Sequence, residues 1–228
     1  MAKNTETKKT LVIPPPNFKV LITTIVGDSI FVQNRFSKKA ADMMREKMEA
    51  GSTTKKGAKR SARDFKSDFE ESYYRSSEGW YGIPAGTIRN GMISACKIVG
   101  FQMTRAKLSV FVLADGNDAL DGSPIIKISK TPVMRVDHVR NATGVCDLRA
   151  RAEYGVGWEA DLRIRYDADQ FTETDILNLL MRCGIQVGIG NGRPDSRMSN
   201  GLGWGTFEIK SEATATKGRR KAIAAVAS

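Results

Sequence analysis

The chain has 228 residues, 41% of them hydrophobic and 27% charged, with a formal net charge of +11, which is the make-up of one ordinary globular domain with a sizeable core. No apolar run reaches the length of a membrane span, and the polar opening MAKNTETKKT lacks the apolar stretch of a secretory signal, so a cytoplasmic protein is expected. The basic excess argues for a polyanionic partner over a small neutral substrate.

In chain order, residues 1–17 read as a flexible arm ending in the stiff run Pro14-Pro15-Pro16. FKVLITTIV (18–26) is rich in β-branched residues and predicts a buried strand. A turn signal follows at Gly27-Asp28, and SIFVQN continues the sheet. Residues 37–50 predict a helix, with Ser37 as N-cap and Ala40, Ala41, Met44 and Met48 at helical spacing. GSTTKKGAKRSAR carries Lys55, Lys56, Lys59, Arg60 and Arg63 with no acid and no apolar stripe, the pattern of a mobile loop. Residues 84–99 give the clearest helix: Pro84 suits its first turn, Ile88, Met92, Ala95, Cys96 and Val99 form one stripe, and Gly100 ends it.

LSVFVL (108–113) predicts a strand and ADGNDALDGS (114–123) a loop, with short strands at 125–129 and 132–139. The stretch 145–166 has the strongest strand signal. Trp158, Ala160, Leu162, Ile164 and Tyr166 alternate with charged residues, and Tyr154–Gly157 is read as a bulge or hairpin bend. Thr172 and Asp175 form a box-like start to a helix over 173–183, which Gly184 ends. A short strand at Ile185–Ile189, a glycine-rich run from Gly188 to Gly205 and a last strand in WGTFEIK (204–210) follow, and 211–228 is a tail, disordered or a frayed helix. The order predicts an α+β fold, specifically a ferredoxin-like (RRM-like) antiparallel sheet with two helices. One domain would span 18–210, with a large basic insertion, 37–80, after the first strand.

The charge is not confined to the ends. Residues 1–10 carry +2 and 211–228 carry +3, leaving +6 on 11–210. The glycine-rich run lacks a P-loop lysine and does not open a helix, so it is no dinucleotide fingerprint. It does supply backbone able to approach a phosphate chain, with Arg193, Arg197, Ser199 and Asn200 as donors; it also suits a long hairpin whose glycines only serve turns. The basic loop 55–63 can follow a nucleic-acid backbone or be a solvated tether. Phe65, Phe69, Tyr73, Tyr74, Trp80 and Tyr81 are expected mostly in the core, with one or two able to stack on bases. Arg135, His138 and Arg140 surround a strand end. Cys96, Cys146 and Cys183, odd in number and scattered, suggest neither a disulfide framework nor a zinc site, and His138 is the sole histidine. No metal or cofactor is expected. Asp28, Asp64 and Asp68 have no recognisable acid–base partner.

Gly82-Ile83-Pro84-Ala85-Gly86-Thr87-Ile88-Arg89-Asn90-Gly91 resembles the IPGSSLKG lead-in to the first helix of RAMP-superfamily proteins. Gly201-Leu202-Gly203-Trp204-Gly205-Thr206-Phe207 resembles that family's glycine-rich loop before its final strand. The family contains the RNA-binding backbone subunits of CRISPR effector complexes. The resemblance spans roughly 18–210 and implies protomers stacked head to tail along a single strand, RNA favoured over DNA, read without sequence preference. It implies phosphate contacts at Thr87 and Arg89, with 37–80 and 135–141 clasping the strand. The chain departs from the family at Met92 and Ile93, where a second basic residue is common. Cleaving members carry an Asp before the helix, which makes Asp68, with Asp64 as the second choice, the candidate for a metal-dependent ribonuclease. The same motifs would also suit a stand-alone phage or plasmid relative, or a mimic of the backbone subunit that caps another complex.

Overall fold

The structure is a computed structural model that describes residues 13–36, 38–49, 63–140, 144, 146–195 and 202–210. It is a mixed α+β protein with three antiparallel sheets. In chain order the elements are β1 (Phe18–Gly27), β2 (Phe31–Gln33), α1 (Lys38–Glu49), α2 (Phe65–Glu70), β3 (Tyr74–Arg75), β4 (Tyr81–Pro84), α3 (Ala85–Ala95), α4 (Met103–Ser109) and β5 (Val110–Leu113). Then follow β6 (Gly116–Asn117), β7 (Pro124–Lys127), β8 (Val133–Arg140), β9 (Cys146–Tyr154), β10 (Glu159–Asp167), α5 (Glu173–Arg182), a π-helical turn (Cys183–Val187) and β11 (Phe207–Ile209).

The first sheet has the order β11-β1-β10-β5, with every neighbouring pair antiparallel. Its inner face carries Leu21, Ile25, Leu162 and Ile164, all buried, in one core with Ile88, Met92 and Cys96 of the α3 segment and Ile176 and Leu180 of α5. β8 and β9 form a long hairpin with β2 on its other edge, and β4 sits in a third sheet of order β3-β4-β7-β6. β4 runs directly into α3, so the third sheet aims the first turn of that helix.

The structure corrects several expectations. FKVLITTIV is not buried on both faces: Leu21 and Ile25 point inward, while Phe18, Val20 and Ile22 are 40%, 52% and 72% exposed. SIFVQN does not continue that sheet; β2 leaves it to pair with β9. The stretch 145–166 is two strands, but they belong to different sheets. The Tyr154–Gly157 segment is therefore a corner between sheets, fastened by Gly157 N–H donating to the Gly27 carbonyl (2.8 Å) and the Trp158 indole donating to the Ser29 carbonyl (3.0 Å). Leu108 and Ser109 end α4 rather than begin a strand; Arg105-Ala106-Lys107-Leu108 is a run of good helix formers. The helix expected over 84–99 stops at Ala95, and Val99 lies exposed in the turns that follow. Ile185–Ile189 is not a strand, because α5 widens into the π turn and Gly188, at φ 68°, ends it in place of Gly184. In α1, Met44 and Met48 are exposed instead of packed. Among the described residues no helix is long and apolar enough to cross a membrane.

Candidate nucleic-acid interface

Two segments far apart in sequence meet at the start of α3. The helix begins at Ala85 with Pro84 as its cap, and no side chain bonds its first amides. Thr87, Asn90 and Ser94 lie on one face, opposite the buried Ile88, Met92 and Ala95. Gly91 on this helix lets the π turn close in: a Cβ there would stand 2.5 Å from the Cys183 sulfur. The chain then passes Gly188 to Arg193 across the same face. Thr87, Asn90, Ser94, Gly188, Gly190 and Arg193 line a predominantly polar cavity of about 240 Å³. A second cavity, about 200 Å³, shares Thr87, Gly190 and Arg193 and extends past Asn34, Tyr74 and Asn191.

The glycine-rich run is built into the fold rather than hung from it. Asn191 N–H donates to the Val32 carbonyl (2.9 Å) and Ile189 N–H to that of Gly205 (2.9 Å). Gly190 sits at φ 72°, where a Cβ would stand 2.5 Å from the Val32 carbonyl oxygen, so both its conformation and the close approach require glycine. Arg193 donates to the Gly190 carbonyl (3.0 Å), which holds its guanidinium at the cavity rim. The Trp204 N–H donates to Gly192 (3.1 Å), and the Arg135 guanidinium lies over the Trp204 ring, 4.5 Å from its centre. Arg135 is also paired with Asp137 and Glu153, each at 2.7 Å. The Glu153 hydrogen bond is the main reason its ionisation is pushed further up.

The expected residues therefore divide. Thr87 and Arg193 share one cavity, and Arg135 joins the glycine-rich segment through Trp204. Arg89, two residues beyond Thr87, turns the other way. It donates to the carbonyls of Val110 (2.9 Å) and Lys107 and lies over the Phe111 ring. His138 is exposed on β8, one ladder position out of phase with Arg135 and so on the opposite face; Arg140 closes the strand opposite Cys146. Arg63 is paired with Asp68 (3.0 Å) and Asp147 (2.5 Å) and donates to the Leu148 carbonyl, pinning the start of α2 to the β8–β9 hairpin. The Arg63 hydrogen bond to Asp147 holds the Asp147 carboxyl below its ordinary range. Lys55, Lys56, Lys59, Arg60, Arg197, Ser199 and Asn200 lie outside the described residues.

The candidate acid Asp68 faces Arg63, and Asp28 accepts from the Thr206 hydroxyl. Among the described residues no three His, Cys, Asp or Glu side chains gather into a metal-binding group. Sequence reasoning missed Asn90 and Ser94, and had Tyr74 only as one of the aromatics expected mostly in the core. The first two carried a signal: with Thr87 they fall at i, i+3 and i+7, a polar stripe on a helix otherwise read for its apolar one. Tyr74 takes its place in the second cavity beside Arg35, whose guanidinium lies 5.1 Å from the ring centre. No protein-family model matches the chain, and no curated protein matches it in sequence.

Proposed function

We propose that this protein is a RAMP-like, sequence-tolerant binder of single-stranded nucleic acid, RNA favoured, whose copies line up head to tail along the strand. The observation that carries the reading is the meeting of Thr87 and Arg193 at one polar cavity. The helix lead-in, the first motif behind the family resemblance, meets there the start of the glycine-rich run, about a hundred residues further along the chain, and that start is tied by backbone hydrogen bonds to Trp204 and Gly205 of the second motif. Free first-turn amides, a threonine, an asparagine and an arginine are the donors that phosphate oxygens take. The ferredoxin-like plan agrees with the strand order: with β1, β5, β10 and β11 counted as first to fourth along the chain, the sheet reads fourth, first, third, second from edge to edge, with α3 and α5 supplying the two helical connections. The β8–β9 hairpin is the natural clasp, since Arg135 lies over Trp204 at the end of the glycine-rich run. Membership of a CRISPR-type assembly is a further step in the same proposal.

The test is a binding titration with a labelled single strand of about 35 nucleotides at several salt concentrations. The affinity is expected to fall by at least about a hundredfold between roughly 50 and 200 mM salt and to change little with sequence. Affinity that holds constant across that range would remove the electrostatic basis of the proposal.

A further inference from the structure

The outer face of the first sheet carries a second cluster that the cavity does not use. Residues opposite each other in the ladder share a face. The register sets Val20, Arg165 and Phe111 in one row across β1, β10 and β5, and Ile22, Arg163 and Leu113 in the next. Phe18 begins β1 at the corner of this surface, its ring edge-on to Phe111 at 5.9 Å. The Arg165 guanidinium packs against both rings, 5.3 Å from the centre of Phe18 and 5.0 Å from that of Phe111. Arg89 lies over Phe111 at 5.3 Å. The result is a cluster of two guanidinium groups and two rings at the β5 edge, beside an aliphatic strip that stays open to solvent.

The charges on this face are not equivalent. Arg163 is paired with Asp115 at 3.0 Å, Asp161 accepts from Thr24, Glu159 accepts from Lys210, and Asp167 accepts from the Asp169 amide. Among the described residues, the two arginines of this cluster, Arg89 and Arg165, have no carboxylate within ion-pair distance, and Arg89 directs its N–H groups to the Val110 and Lys107 carbonyls, which leaves Arg165 as the cation open to a ligand. Its guanidinium packs against two aromatic rings, and the N–H groups of a guanidinium project from the edge of its plane, where anionic oxygens are bound. Exposed aromatic and aliphatic surface beside a stacked, unpaired arginine suits a ligand made of flat rings joined by anions.

We infer that this corner, built from Phe18, Val20, Phe111 and Arg165, is a second contact surface for the single strand, stacking one or two unpaired bases while Arg165 takes the adjoining phosphate. The inference rests on the binding function proposed above. It also accounts for the exposed stripe on β1, which a solvated sheet face would have made polar. Arg89 and Thr87 join the two surfaces, since the first turn of α3 touches the Phe111 ring with one residue and the polar cavity with the other. Paired bases cannot stack on side chains in this way, so the surface selects single strands over duplex.

The experiment uses the full chain and a single strand of about 35 nucleotides carrying 5-iodouracil. Irradiation followed by peptide mass spectrometry is expected to place adducts on the peptides containing Phe18 or Phe111. Phe18→Ala and Arg165→Gln are each expected to weaken binding by about tenfold, with the thermal midpoint unchanged for the exposed Arg165→Gln. Adducts confined to other peptides, together with unchanged affinity of Arg165→Gln, would overturn the inference while leaving the cavity reading intact. Sedimentation of the nucleic-acid-free protein supplies a further arm. Self-association that is abolished by either substitution would assign the face to a second copy of the chain and overturn the inference equally. A wild-type chain that binds no single strand would remove both proposals together. If Phe18→Ala does not fold, Arg165→Gln and the wild-type adducts decide the matter.

Discussion

At the scale of single residues, position along a helix decides which side chains meet a ligand. Thr87 and Arg89 are two residues apart on α3, and that spacing sends them to opposite sides of it, one to the polar cavity and one to the sheet edge. Arg193 is the cation at the cavity. Its replacement in Arg193→Ala is expected to weaken single-strand binding evenly across sequences and to reduce the slope of log affinity against log salt by about one. Parallel thermal melts would report any cost of the lost bond to the Gly190 carbonyl. The residue types at this site were legible in the sequence, because glycine, threonine and arginine in short motifs announce themselves. Their grouping was not. Nothing in RPDSR tells Arg193 from Arg197, and nothing in IPAGTIRNG says that Arg89 will bond the carbonyls of Val110 and Lys107. Those assignments depend on which backbone lies nearby after folding.

At the scale of elements, α5 was the most legible because its signals are local. Thr172 and Asp175 form a reciprocal capping box, with Thr172 accepting from the Asp175 amide and Asp175 accepting from the Thr172 hydroxyl (2.7 Å) and amide (2.9 Å). The hydroxyl bond, then the amide bond, hold the Asp175 carboxyl below its ordinary range. A depressed acid stabilises the fold above its unfolded pKa, near 3.9, and loses that contribution as the pH falls through the lower folded value. Asp175→Asn is therefore expected to cost about 0.5–1 kcal/mol at pH 7, the small end of capping effects because the group is exposed. Urea unfolding at several pH values should show the difference narrowing below about pH 3. The π turn after α5 and the short helix α4 were missed because their causes lie elsewhere in the chain. Gly184 is pressed against the Phe207 backbone, and α4 is braced by Arg89 and by Arg105 bonding Gln170. β1 was found but misjudged: period-two apolarity cannot separate a strand buried on both sides from one that shows an apolar stripe to solvent.

At the scale of the whole molecule, the α+β character followed from the alternation of strands and helices, but the division into three sheets did not. β9 and β10 look like one hairpin in sequence because their patterns match; only the anchoring of Gly27, Ser29 and Trp158 at the corner separates them. The net charge is likewise a property of the whole. Changing Lys217, Arg219, Arg220 and Lys221 to glutamine would bring the chain from +11 to +7 while altering no residue named at the cavity or the stacking surface. Single-strand affinity at about 0.15 M salt is expected to fall by less than tenfold, whereas Arg193→Ala combined with Arg165→Gln should reduce it further while removing only half as much charge. A larger loss from the tail substitutions would place the contacts at the C-terminus.

The central strand β1 carries a consequence for biosynthesis. Its partners on either side, β10 and β11, come from the far end of the chain: Leu21 pairs with Ile164, and Ile25 with Ile209. As the protein emerges from the ribosome, the middle of its main sheet is made first and waits, with both edges open, while most of the sequence is still being translated. Closure of that sheet is a late, long-range event, and until then β1 exposes the backbone groups through which strands of nascent chains pair with one another.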